Sequence, residues 1–285
     1  MQAILLGALQ GLTEFIPVSS SGHLALLPPL FGVPSPPLAF GVAVHAGTLA
    51  SACAYYWRDI GAALGGLGRL CSGALSGRGR QLLKDDKWAR LAVLVLVGTL
   101  PTVVIALVFE HPVKKLFQSP VAAAGLLLVT GTVLVVADRL ARRRAEGGGD
   151  TEADTPLAKA IAVGVAQGIA ILPGISRSGS CIATGLATGL ERRFSVKFAF
   201  LLMIPAVLGA AVLEGKDLVN GALDATTVHA ALVGAVVAAF AGLLAIWATI
   251  RVVSGGKLWV FGVYCLVLGA VGLVLLLSGV VRGVA

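Results

Sequence analysis

The chain has 285 residues, of which 57% are hydrophobic and only 13% charged, and it carries a formal net charge of +8 at pH 7. With several charge-free runs long enough to cross a bilayer, this composition excludes a soluble globular protein and gives an integral membrane protein. The positive charge does not indicate nucleic acid: the basic residues lie beside the apolar runs, where the positive-inside rule accounts for them, and no nucleic-acid motif is present.

The first segment, residues 1–16, is apolar but for a few polar side chains, Gln10, Thr13 and Glu14 among them. Pro17 and three serines then interrupt it, and residues 23–33 resume the apolar pattern as far as the PSPP at 34–37. Each arm is shorter than the roughly 20 residues of a spanning helix, so the pair is expected to form a re-entrant unit whose turn lines a cavity. The segment lacks the basic start of a secretory leader, so the N-terminus is read as part of the fold. Phe40–Trp57 is predicted as the first span, followed by a Gly/Arg-rich loop over 58–90. Leu91–Phe109 is the second span, with a kink expected at Pro101 in GTLP, and EHPVKK is read as a short turn. Pro120–Ala137 is the third span, and 138–159 is expected to be a second, mobile hydrophilic loop.

The second half repeats the plan, with an interrupted segment at 158–190 and spans at 198–213, 225–250 and 258–281. Three spans beside one re-entrant unit is an odd number, so the second half must insert upside down relative to the first. The expected architecture is therefore an all-α polytopic membrane protein, an inverted-topology repeat with six transmembrane helices and two re-entrant pairs. It is read as one membrane domain over 1–285, with repeats at 1–139 and 158–285 and a cytoplasmic linker at 140–157. On this layout one side receives 17 Lys and Arg and the other four, Lys114, Lys115, Lys216 and Arg282, which places both termini outside the cytoplasm. The four cysteines have no metal-ligand spacing and are read as small packing residues.

The two interrupted segments align without a gap. In QGLTEFIPVSSSGH and QGIAILPGISRSG, Gln10 matches Gln167, Gly11 matches Gly168, and Ser19, Ser21 and Gly22 match Ser176, Ser178 and Gly179, all at an offset of 157. Gln10 and Glu14 are four apart and so share a helix face. An ionised carboxylate in an apolar helix costs about 2.5–3.5 kcal/mol on insertion scales unless it meets water, a partner or a metal. Glu14 is thus a metal ligand or general base, or else a structural partner of Arg177. Arg177 stands alone among basic residues between Lys159 and Arg192, flanked by Ser176, Ser178 and Ser180. Its planar fork, with hydroxyls and free backbone N–H groups at a helix start, makes an anion cradle suited to phosphate. SSSGH places hydroxyl nucleophiles beside an imidazole, and His23, three residues from Ser20, is expected to approach it as a base. His45 is read as a residue that packs its helix or supports the site from behind, His111 as a loop residue and His229 as a membrane-helix residue without an evident partner.

These motifs resemble those of the bacterial undecaprenyl-diphosphate phosphatases of the bacitracin-resistance type. QGLTEFIPVSSSGH is similar to that family's first signature and PGISRSGSCI to its second, while VHAGTLASACAYYWRDI, GTLP and FSVKFAFLLMIPA look like further landmarks, so the likeness spans nearly the whole chain. Gln10 stands where many members have a second carboxylate, leaving Glu14 the sole acidic side chain of the first motif, and Cys181 stands where Thr is common. The resemblance implies a phosphoric anhydride hydrolase that converts undecaprenyl diphosphate to the monophosphate, recycles this carrier lipid for peptidoglycan synthesis and confers bacitracin resistance. It implies a multi-pass protein of the bacterial plasma membrane, surrounded by membrane lipids, with its site facing the extracytoplasmic side; a homodimer is compatible with it. Carried over by position, Ser20 is the nucleophile, Arg177 clamps the diphosphate, and Glu14 and His23 divide metal binding and acid/base work. Ser19, Ser21, Ser176, Ser178 and Gly179 are expected to bind substrate, and Glu14 with Gln10 to hold a divalent metal, Mg2+ or Ca2+. The rival reading is a lipid-phosphate flippase or secondary transporter, whose inverted repeats and broken helices use the same architecture. A hydroxyl beside an imidazole favours the enzyme, because transport needs no nucleophile.

Overall fold

The computed structural model describes residues 1–31, 37–117, 119–144, 149–219 and 225–278. The described residues form twelve helices: α1 (Gln2–Phe15), α2 (Ser20–Phe31), α3 (Leu38–Tyr55), α4 (Trp57–Leu75), α5 (Gly79–Asp85), α6 (Lys87–Leu116), α7 (Pro120–Arg143), α8 (Leu157–Ile169), α9 (Arg177–Thr188), α10 (Arg192–Val219), α11 (Ala225–Ser254) and α12 (Leu258–Leu277). Six of them, α3, α6, α7, α10, α11 and α12, are long and apolar enough to cross a membrane. This is an all-α, multi-pass membrane protein. The pairs α1/α2 and α8/α9 are too short to span, and their turns come together inside the bundle.

The short helices α1 and α8 each lie along one long helix. α1 lies along α11 and α8 along α6, while α7 pairs with α12. In hydrocarbon, helices associate through close packing at small residues rather than by expelling water. Gly7 and Gly164, 157 positions apart, are the contact points: a Cβ on Gly7 would lie 2.5 Å from the Gly234 carbonyl oxygen, and one on Gly164 would collide with the Gly98 carbonyl. Beneath the first turn the core is aromatic, with Phe15 packed edge-on against Phe200 at 5.2 Å between ring centroids.

Several loop expectations are corrected. Residues 58–90 are not a loop but α4 and α5. Ile60 and Ala63, three apart, turn one face of α4 to the core, and Gly66 lets it touch the backbone at Trp88–Ala89, so a Gly-rich, Arg-bearing segment still forms an amphipathic helix. Asp86 then caps α6 by accepting the Trp88 and Ala89 N–H groups, and takes a hydrogen bond from Arg69. The EHPVKK turn is instead the last part of α6, which runs as one helix through Pro101 to Leu116. α7 continues to Arg143 because the buried Asp138 is neutralised by Arg142 and Arg192 at 2.8 and 3.0 Å. Of the loop expected to be mobile, 149–156 is fastened: the Asp150 N–H donates to the Gly189 carbonyl, the Glu191 N–H donates to the Asp150 carbonyl, and Arg90 reaches the Thr155 carbonyl.

The basic segments converge on one end of the bundle. Lys197 at the start of α10 meets Asp59 of α4 at 2.5 Å and Glu152 at 3.6 Å, and lies over the Trp88 ring of α6. Arg142 of α7 donates to the Gly256 carbonyl in the α11–α12 turn. The Arg282 assigned to the opposite side lies outside the described residues, as do the side chains of Lys114, Lys115, Lys216 and His111.

Candidate active site

Each re-entrant turn is closed by its own serine. The Gly22 N–H donates to Ser19 Oγ at 3.2 Å, and 157 positions later the Gly179 N–H donates to Ser176 Oγ at 3.0 Å. The neighbouring hydroxyl pairs, Ser19 with Ser21 and Ser176 with Ser178, stand 3.3 and 3.4 Å apart. Ser21 Oγ accepts the Gly174 N–H at 3.4 Å, which joins the two turns, and Gly22 faces the Gly174 Cα. Thr130 of α7 pins the second turn twice, donating to the Gly174 carbonyl at 2.9 Å and accepting the Ser176 N–H at 3.1 Å. Gly174 has φ +95°, a conformation that suits glycine.

The starts of α2 and α9 therefore face one another across a cavity of about 510 Å³. Ser19, Ser20, Ser21, Ser176, Arg177 and Ser178 line it together with Glu14 and His45. The expected free N–H groups are fewer than the motif suggests, because those of Gly22 and Gly179 serve their own caps. The first N–H groups of α9, on Arg177 and Ser178, have no partner among the described residues, and two converging helix starts present partial positive charge to the cavity.

Glu14 is the centre of the site. Its buried carboxylate accepts hydrogen bonds from Ser20 Oγ at 2.7 Å and Gln10 Nε2 at 3.0 Å, both on Oε2. Arg177 and His45 each place a nitrogen 4.0 Å away. At that distance neither is hydrogen-bonded to the carboxylate. Among the described residues the Arg177 guanidinium donates no hydrogen bond, so its fork is turned to the cavity rather than consumed by Glu14. Gln10 Oε1 is buried with no partner beside this carboxylate.

His23 is placed elsewhere. Its Nδ1 lies 2.8 Å from the Ser19 carbonyl and its Nε2 2.8 Å from the Tyr264 hydroxyl, so both ring nitrogens are engaged away from Ser20. The partner that the fold gives Ser20 is Glu14, six residues earlier, which reaches it because the turn folds α2 back over the end of α1. Two residues escape the sequence reading. His45, read as packing its helix or supporting the site, stands 4.0 Å from the carboxylate, a closeness that its VHAGT context does not reveal by spacing. Tyr264 is 241 positions from His23 and sits in α12, where a tyrosine resembles any interfacial aromatic.

The profile of the family described as bacitracin resistance protein BacA matches residues 3–271. A protein named undecaprenyl-diphosphatase from Desulforapulum autotrophicum is 41% identical over 276 residues, covering 96% of this chain and 97% of the relative. Proteins of the same name from Carboxydothermus hydrogenoformans and Methanosphaera stadtmanae are 39% and 36% identical, over 98% and 96% of this chain and 98% and 97% of their own lengths. With the family profile matched from the first turn of α1 into α12, and relatives aligned over nearly their whole length, the chain belongs to the BacA bacitracin resistance protein family.

Proposed function

We propose that this protein hydrolyses undecaprenyl diphosphate to undecaprenyl phosphate and inorganic phosphate, with Ser20 as nucleophile, Glu14 as its base and Arg177 as the diphosphate clamp. The observation that carries the reading is the 2.7 Å hydrogen bond from the Ser20 hydroxyl to Glu14, in a cavity whose other wall is the Arg177 fork, 4.0 Å from that carboxylate and not hydrogen-bonded to it. Ser20 Oγ attacks the terminal phosphorus while its proton passes to Glu14 Oε2. The bond from that phosphorus to the bridging oxygen breaks, the lipid monophosphate leaves, and water then releases phosphate from the serine. Charge spread over the terminal phosphoryl oxygens is met by Arg177 and by the Arg177 and Ser178 N–H groups, and this stabilisation carries most of the rate.

A lipid substrate suits the surroundings of the cavity. Beside it, and sharing Ile171, runs a wholly apolar groove of about 220 Å³ between α6 and α8, lined by Ile105, Phe109, Val113, Leu116 and Leu172. A polyprenyl tail lies there while the headgroup occupies the polar cavity. The cavity also touches Phe117 and Pro120, at the opposite ends of α6 and α7 from the basic cluster. With that cluster on the cytoplasmic side of a bacterial plasma membrane, the site opens toward the outside.

A divalent metal, Mg2+ or Ca2+, belongs to the same proposal. Among the described residues no three His, Cys, Asp or Glu side chains group to hold one. The donors do suit a hard cation that takes part of its shell from phosphate: one carboxylate, Glu14, and the unpartnered Gln10 Oε1. When bound, the ion neutralises diphosphate charge.

The test is phosphate release from undecaprenyl diphosphate by purified protein in detergent, with and without EDTA, alongside Ser20→Ala and Arg177→Ala. Metal-dependent release lost in both variants is the expected result. Near-normal release by Ser20→Ala would make water or another serine the nucleophile. No release from folded protein that still binds the lipid would overturn the reading in favour of transport.

A further inference from the structure

We infer that Tyr264 is a positioning residue for this reaction, acting through His23 on the backbone of Ser19. The inference rests on the reading of Ser20 as nucleophile. Ser19 is the non-glycine residue with positive φ among those described, at +68°. Left-handed backbone of this kind is strained for a serine and persists only where surrounding bonds hold it. The Ser19 carbonyl accepts two hydrogen bonds from His23, from its backbone N–H at 3.2 Å and from its ring at 2.8 Å.

The ring contact fixes the chemistry of the imidazole. A carbonyl only accepts, so Nδ1 carries the proton, and in the neutral ring Nε2 is left as an acceptor. The group facing Nε2 is the Tyr264 hydroxyl, 2.8 Å away, with the tyrosine ring beside the imidazole and nearly parallel to it, at an interplanar angle of 6° and 5.7 Å between centroids. Tyr264 thus donates to Nε2, holds the Nδ1–H tautomer and aims it at Ser19. The residue after Ser19 is Ser20, whose hydroxyl donates to Glu14 at 2.7 Å, so the turn at Ser19 sets the direction from which Ser20 meets its partner. The repeat-related turn lacks this device: Ser176 has φ −74° and its carbonyl faces the Ser180 N–H of its own helix. The added strap is confined to the turn that carries the nucleophile.

Tyr264→Phe keeps the ring and removes only the hydroxyl. Its kcat for phosphate release is expected to fall about two- to tenfold, the equivalent of one neutral hydrogen bond, with KM unchanged. Glycine takes positive φ without penalty and costs an N-cap only a few tenths of a kcal/mol relative to serine, so the effect of Tyr264→Phe should vanish in the Ser19→Gly background. In 15N spectra of histidine-labelled protein, the His23 Nε2 resonance should move toward that of a ring nitrogen without a donor. An unchanged kcat in folded Tyr264→Phe, a rise in KM instead, or the same loss in the Ser19→Gly background would each overturn the inference. Failure of the parent reading looks different, because unsubstituted protein would then release no phosphate.

Discussion

At residue scale, Glu14 gathers the site, and its neighbours divide by distance. Ser20 is hydrogen-bonded to it and Arg177 is not, so substitutions at the two should separate. Ser20→Ala is expected to lower kcat by roughly 10³-fold or more while lipid binding persists, as for other lost nucleophiles. Arg177→Lys keeps the charge and loses the fork, at about 1.5–3 kcal/mol for each charge-assisted bond that cannot be replaced; affinity for a non-hydrolysable diphosphonate lipid measures it. Gln10→Glu supplies a second carboxylate beside the first, and the metal concentration for half-maximal activity should drop. Thr130→Val is nearly isosteric but leaves the Gly174 carbonyl and Ser176 N–H unpaired, costing about 1–3 kcal/mol, read as a lower unfolding temperature. That Gln10, Glu14, Ser20 and Arg177 would gather at one place was legible beforehand, because polar groups in an apolar run are expensive and must find partners or water. What could not be read was which hydroxyl, carboxylate and imidazole meet. That depends on the left-handed turn at Ser19 and on α12 arriving beside it, and neither leaves a local pattern.

At element scale, the spans were legible from length and hydropathy alone, whereas α4 was hidden by its glycines. Its five glycines, set among leucines and arginines, read as a loop until Ile60, Ala63 and Gly66 are seen to share one buried or closely packed side. The equivalence of α1 and α8 makes a sharper statement. Gly164→Ala drives a methyl group into the Gly98 backbone, so α8 must back away from α6, at about 1–3 kcal/mol. Gly7→Ala does the same between α1 and α11, and the two variants should lose unfolding temperature by similar amounts. The groove between α6 and α8 predicts a chain-length effect: Leu116→Trp fills it and should raise KM for undecaprenyl diphosphate more than for farnesyl diphosphate, whose short tail barely enters.

At the scale of the whole molecule, basic residues counted along the sequence meet at one end, where Lys197, Arg192, Arg142 and Arg90 are tied to acids and carbonyls from four separate segments. The protein carries its own reporter there. Cys71 on α4 is exposed and free, whereas Cys181 and Cys265 are buried. A membrane-impermeant maleimide should therefore label Cys71 in inside-out vesicles and spare it in intact cells; the opposite pattern would reverse the proposed orientation. Ser20 and Arg177 are themselves 157 positions apart, the same place in the two re-entrant units, one hydroxyl and one guanidinium on opposite walls of one cavity. A diphosphate held between them is a removable cross-link between the first and second halves of the chain. Stability and ligand occupancy are then one linked quantity: a non-hydrolysable headgroup at 100 times its Kd should add about 2.7 kcal/mol against unfolding. Arg177→Ala, by cutting one anchor, should forfeit most of that gain at the same ligand concentration.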